Sequence, residues 1–207
     1  MSNPTSPANE TDQPPPADTQ PANAFRYVVS SGLADILEQL ESTLLLTTYQ
    51  AGKLMAVRAR AGRVSTLLRT FERPMGLARR GDTLALGTRN AVWFLRDARD
   101  IAPQLAPASP YDACFTPRQC HVTGDILGHE MSWGHPPPAG GGDTPPSGPA
   151  NEVWLVNTRF SCLCTLHPDY SFVPRWRPSF VSALAAEDRC HLNGLAMVDG
   201  QPRFVTA

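Results

Sequence analysis

Three stretches of this chain can be laid over one another, and such a repeat restricts the fold more than any motif inside it. Residues 75–95 read Met-Gly-Leu-Ala-Arg-Arg-Gly-Asp-Thr-Leu-Ala-Leu-Gly-Thr-Arg-Asn-Ala-Val-Trp-Phe-Leu. That is an apolar run, a Gly-Asp turn, an apolar run ending at Thr88-Arg89, and a third run. The figure restarts at Asn-Gly-Leu-Ala (193–196), with an Asp-Gly turn at 199–200 and Pro-Arg-Phe-Val-Thr-Ala after it. Between them lie Glu-Met-Ser-Trp-Gly (130–134), Val-Trp-Leu-Val-Asn-Thr-Arg (153–159) and Ser-Cys-Leu-Cys-Thr-Leu (161–166).

A partial copy leads the series. Leu-Leu-Leu-Thr-Thr (44–48), Lys-Leu-Met-Ala-Val-Arg (53–58) and Arg-Val-Ser-Thr-Leu-Leu (63–68) are joined by turns at Ala51-Gly52 and Ala61-Gly62, which predicts three hairpin-linked strands. Thr48 then aligns with Thr88 and Thr158. A period near forty residues with four short strands is the size of a propeller blade, and the alternative is one irregular β-sandwich that reuses its turns.

Lysine plus arginine number 18 against 19 acidic residues, so no strong field recruits nucleic acid or an anionic membrane. Of the 21 prolines, six fall in residues 1–24 and six in 136–149. Both segments lack large apolar residues, and they read as a disordered leader (1–24) and a flexible insert (136–150) within a hairpin. The leader has no basic start followed by an apolar core, and no stretch reaches membrane-spanning length; a cytoplasmic protein is the expectation. An odd count of five cysteines fits that compartment better than a disulfide framework. Cys162 and Cys164 alternate along a predicted strand, which suits a buried apolar face better than a zinc site.

One helix is predicted before the strands, capped by Ser31 and carrying an apolar stripe of Leu33, Ile36, Leu37 and Leu40, with Asp35, Glu38 and Glu41 outside it. It should plug or flank the first sheet. Residues 97–120 read as a loop. Trp93 and Trp154 sit in apolar runs and read as core, while Trp176 reads as an outer edge strand or a partner surface.

If the first three strands of each unit alternate in direction, the start of the first and the end of the second share one edge. Met75, His129-Glu130 and His191-Leu192-Asn193 mark the starts; Thr48-Tyr49-Gln50, Thr88-Arg89 and Thr158-Arg159 mark the ends. All would gather on one rim, where residues on a rigid scaffold commonly bind. The candidate ligand-binding residues are His129, Glu130, His191, Asn193, Arg89 and Arg159, with His121 and Asp125 behind them. Imidazole and carboxylate together can hold a divalent metal or act as acid and base. The competing reading has these groups tie loops and neighbouring blades together, with Arg89 and Arg159 each pairing with a carboxylate of the next blade.

Five longer strings carry more than local structure: Thr-Thr-Tyr-Gln-Ala-Gly-Lys-Leu (47–54), Arg-Pro-Met-Gly-Leu-Ala (73–78), His-Val-Thr-Gly-Asp (121–125), Asn-Thr-Arg-Phe-Ser-Cys-Leu-Cys-Thr-Leu (157–166) and Asp-Arg-Cys-His-Leu-Asn-Gly-Leu-Ala (188–196). Together they resemble a family of uncharacterised, mainly bacterial conserved proteins classed as a domain of unknown function. The resemblance runs from about residue 42 to the end of the chain. It implies a propeller-like fold and members longer than this chain, and it brings no reaction or catalytic residue.

The expectation is therefore an all-β chain, an incomplete β-propeller of four-stranded antiparallel blades over residues 25–207 with one short N-terminal helix, as an N-terminal fragment would give. Two functions fit it. One is a module that binds a small molecule or protein partner at the propeller mouth. The other is a metal-assisted hydrolase or lactonase, which rests on analogy of fold alone.

Overall fold

The computed structural model describes residues 27–105, 111–136 and 150–207. The leader and most of the insert, both expected to be disordered, lie outside the described residues. Residues 31–207 form one unit and residues 1–30 another; every described helix and strand lies in the larger.

Helix α1 (Leu33–Gln39) opens it. Ser31 does not cap it: Gly32 stands at the N-cap in helical geometry with no side-chain cap, and a capping hydroxyl requires extended backbone at that position. Nor is the buried stripe the expected one. Ala34 and Leu37 are buried, whereas Ile36 and Leu40 are more than half exposed. A helix of seven residues touches its neighbour over less than two turns, so one i, i+3 pair covers the contact. It flanks strands β2 and β3, and Gly62 N–H donates to the Glu38 carboxylate at 2.8 Å.

Sheet I is the antiparallel meander β1 (Leu44–Thr48), β2 (Lys53–Arg60) and β3 (Arg63–Thr70). Its second turn is a two-residue loop with Ala61 at φ 52° and Gly62 at φ 71°, the pair of positive angles a type I′ hairpin demands. Sheet II runs β4 (Leu77–Arg80), β5 (Thr83–Gly87), β6 (Ala91–Asp97) and β7 (Phe115–Val122). β7 corrects the expected loop at 97–120. Pro117 disguises it, but that proline sits on an edge strand beside a register shift, where a missing N–H costs the ladder little.

Sheet III runs β8 (Gly128–Gly134), β9 (Glu152–Asn157), β10 (Cys162–His167) and β11 (Tyr170–Trp176). Trp176 is on its outer edge strand, as expected. Sheet IV is the hairpin of β12 (Leu195–Val198) and β13 (Gln201–Val205). The chain is therefore all-β, with four antiparallel sheets of two to four strands and one short helix. Among the described residues no sheet closes on itself.

Successive sheets pack face to face, and alternation along each strand divides its side chains between two cores. Leu84, Leu86 and Leu95 of sheet II turn toward Leu54 and Leu45 of sheet I. Ala85, Val92 and Phe94 turn the other way, onto Val153, Leu155, Cys162 and Cys164 of sheet III. Trp154, Val156 and Leu163 meet Leu192, Leu195 and Met197 at sheet IV. Trp154 is thus core, and Trp93 is half-buried against Phe71. The first strands of sheets II, III and IV touch in series, β4 with β8 and β8 with β12.

The two like-sounding openings also share a bonding scheme. Met75 N–H donates to Gly87 C=O and Gly87 N–H to Gly76 C=O; Asn193 N–H donates to Thr206 C=O and Thr206 N–H to Gly194 C=O. Sheet IV uses one more residue between these contacts, and it carries a bulge between Ala196 and Met197.

Candidate functional site

The rim is built from the segments that lead into each sheet. Arg73 and His191 both stand four residues before a first strand, and both adopt left-handed backbone, at φ 45° and 46°. That conformation costs an L-residue on the order of 1–2 kcal/mol, and the openings of sheets II and IV both retain it. Behind each is a fully buried residue, Pro74 or Leu192. Each opening is tied down by a threonine of the preceding sheet: Thr47 Oγ1 donates to Met75 C=O, and Thr158 Oγ1 to Leu192 C=O.

At the second opening four polar side chains meet. His191 Nδ1 donates to Asp188 Oδ2 at 2.7 Å, and Asp188 is itself left-handed at φ 49°. The His191 ring stands edge-on to His129, centroids 5.0 Å apart at 81°. His129 Nδ1 donates to Asn193 Oδ1 at 3.3 Å. Both imidazoles are therefore held through Nδ1, and neither Nε2 has a hydrogen-bond partner among the described residues. Burial pushes the His129 pKa below its ordinary value; the neighbouring His191 adds to that, against the opposing pull of Asn193 and Asp188. His129 accordingly stays neutral at physiological pH.

Glu130 does not join them. β8 shifts register between Gly128 and Met131, and the Glu130 carboxylate accepts from Met131 N–H at 3.0 Å. The shift sends His129 toward sheet IV and folds Glu130 back along its own strand.

Arg89, Arg159 and Asp125 form a separate network. Asp125 Oδ2 lies 3.3 Å from Arg89 Nε and 3.2 Å from Arg159 Nη2, and Arg89 also reaches Glu72 at 3.1 Å. Arg159 Nε additionally donates to Asp125 C=O. Burial would raise the Asp125 pKa, but the hydrogen bonds and charges of the two arginines outweigh it and hold the carboxyl below its ordinary value. Asp125 is thus a clamp between sheets II and III: Arg89 pairs with the segment leading into the next sheet, whereas Arg159 pairs with the segment leading into its own. His121 lies apart from both groups, 2.9 Å from Ser171 C=O, joining edge strands β7 and β11.

A family described as Domain of unknown function (DUF4915) matches residues 31–207. The chain belongs to that family. Comparison with curated proteins and with solved structures gives no match. The DUF4915 match takes in the helix, all four sheets and every candidate residue.

Within this DUF4915 chain two of the five cysteines are shielded from reaction. Cys162 and Cys164 are fully buried on one face; burial pushes the Cys162 thiol up to about 12 and raises that of Cys164 as well. Among the described residues no three His, Cys, Asp or Glu side chains are placed to hold a metal ion, and no helix is long and apolar enough to cross a membrane. The residue that sequence reasoning missed is Asp188. Its signal is local: Asp-Arg-Cys-His puts a carboxylate three residues before an imidazole, a spacing that one tight turn closes.

Proposed function

We propose that the chain is a ligand-binding module with part-propeller architecture, and that the corner formed by Asp188, His191, His129 and Asn193 receives a small polar molecule or a polar group of a protein partner. One observation carries this reading. Two imidazoles from the starts of consecutive sheets meet at 5.0 Å, each fixed through Nδ1, and the His191 side chain remains 59% exposed. The propeller component is supported by the serial contact of β4, β8 and β12 and by the cores between successive faces. A metal-assisted hydrolase needs three or more ligands in one place, and the residues around His129 supply no such set.

The test is His191→Ala in the full chain, screened beside the parent against a library of small polar fragments by ligand-observed NMR. The expected result is loss of the fragments that bind the parent, with a melting temperature lowered by no more than about 3 °C, since a half-exposed side chain contributes little packing. Fragments retained by a variant whose melting temperature falls by roughly 8 °C or more would make the corner a structural tie.

A further inference from the structure

At the opposite end of sheets II and III from the histidine corner, the two faces part around a cleft of about 460 Å³. Its charge is one-sided. Arg80, Arg96 and Arg118 line it, with Glu152 as the one carboxylate among its lining residues. Four arginines elsewhere, Arg89, Arg99, Arg159 and Arg189, each have a carboxylate within 4 Å. Others, Arg58 and Arg203 among them, have none among the described residues, so what sets the cleft apart is three arginines converging with a single carboxylate. No ion pair forms on the three cleft arginines among the described residues.

Fold and sequence together place these guanidinium groups. Arg80 ends β4 and lies 4.2 Å over the Trp133 ring, with Nη1 donating to Ala150 C=O at 2.7 Å. Trp133 is fixed in turn by its Nε1 bond to Ala78 C=O at 3.2 Å. Arg80 is therefore positioned before any ligand arrives, which lowers the ordering cost of binding. Arg96 follows Phe94 by two residues on β6, so it shares the face that Phe94 presents to sheet III. Arg118 stands where β7 slips register against Phe94 and Leu95, and such a bulge re-aims a side chain. Arg96 and Arg118 are both exposed, and guanidinium forks match phosphate and carboxylate oxygens in pairs.

We propose that this cleft binds a small anion bearing two or more oxyanion groups, phosphate or carboxylate. The site is independent of the histidine corner and of the function proposed for it. The experiment uses the full chain, titrated calorimetrically with pyrophosphate and, separately, with citrate at matched ionic strength. The variants are Arg96→Gln, Arg118→Gln and the two combined; Arg203→Gln, exposed on β13, serves as the reference.

The expected result is saturable binding of at least one probe with Kd below about 1 mM. That affinity weakens at least tenfold in the double variant, less in each single one, and is unchanged in Arg203→Gln. Pyrophosphate binding without citrate binding assigns a phosphate ligand, and the converse a carboxylate. Absence of saturable binding for both probes overturns the proposal. So does an equal loss in Arg203→Gln, which would mark general charge attraction, or an affinity unchanged in the double variant.

Discussion

A glycine holds sheets III and IV at their separation. A Cβ on Gly134 would stand 2.6 Å from Gly200 C=O and 2.5 Å from Met197 Cε, and the first of these is backbone that His135 N–H already engages at 2.8 Å. Flexible Met197 can yield; the carbonyl cannot without moving the β12–β13 turn. Gly134→Ala is therefore expected to destabilise by about 1–3 kcal/mol, with a melting temperature lower by roughly 3–10 °C. Gly32, which has open space around it, provides the comparison, and Gly32→Ala should change little. Equal melting temperatures for the two variants would show that the sheets are loosely seated. Sequence alone ranks these glycines alike, because the feature that separates them belongs to a strand more than sixty residues away. The same holds for the polar residues: the repeated Thr and Arg are legible, but which carboxylate Arg89 finds is not.

Strands are legible where glycine turns bracket alternating or wholly apolar runs, as in β1–β3, β5, β6, β9 and β10. They are hidden where proline or charge interrupts the run. β7 carries Pro117 and Arg118, and its partners, not its own propensity, make it a strand. The β8–β9 hairpin poses the reverse question, since a long insert separates strands that pair at Trp133 with Val153 and Gly134 with Glu152. Replacing residues 136–150 by Asn-Gly would join His135 to Asn151 through a two-residue turn of the type antiparallel pairs favour. The change removes the Arg80 bond to Ala150 C=O and keeps Trp154 Nε1 on His135 C=O. Loop length alters closure entropy only slowly, so the melting temperature is expected to stay within about 4 °C of the parent. A fall beyond roughly 10 °C would assign the insert a structural role.

Over the whole molecule, two titrations in different places act in the same direction. The folded-state pKa of His129 lies below the ordinary 6.5. Between those values the unfolded chain binds more protons, so stability declines as pH falls from 6.5 toward the folded value. Asp125 lies below its ordinary 3.8; its contribution is complete above that value and is lost as pH falls from 3.8 through the folded pKa. Urea midpoints measured from about pH 8 to about pH 3 should therefore decline in two stages. His129→Gln should flatten the upper one and Asp125→Asn the lower. A midpoint that rose on acidification from about pH 7 to about pH 5 would contradict the first assignment.

The loops leading into sheets III and IV each donate to the corner of the sheet before: Thr123 N–H to Asn90 C=O, and Asp188 N–H to Arg159 C=O. Each sheet is thus fastened to its predecessor and buries its faces only against adjacent ones. Stability in such a chain is graded along its length. Among the described residues sheets I and IV each pack against one neighbour, and sheets II and III against two. Sheet III is covered on both sides, with Val156, Asn157, Cys162 and Cys164 wholly shielded. Water reaches the amides of β9 and β10 only after a flanking sheet has come away.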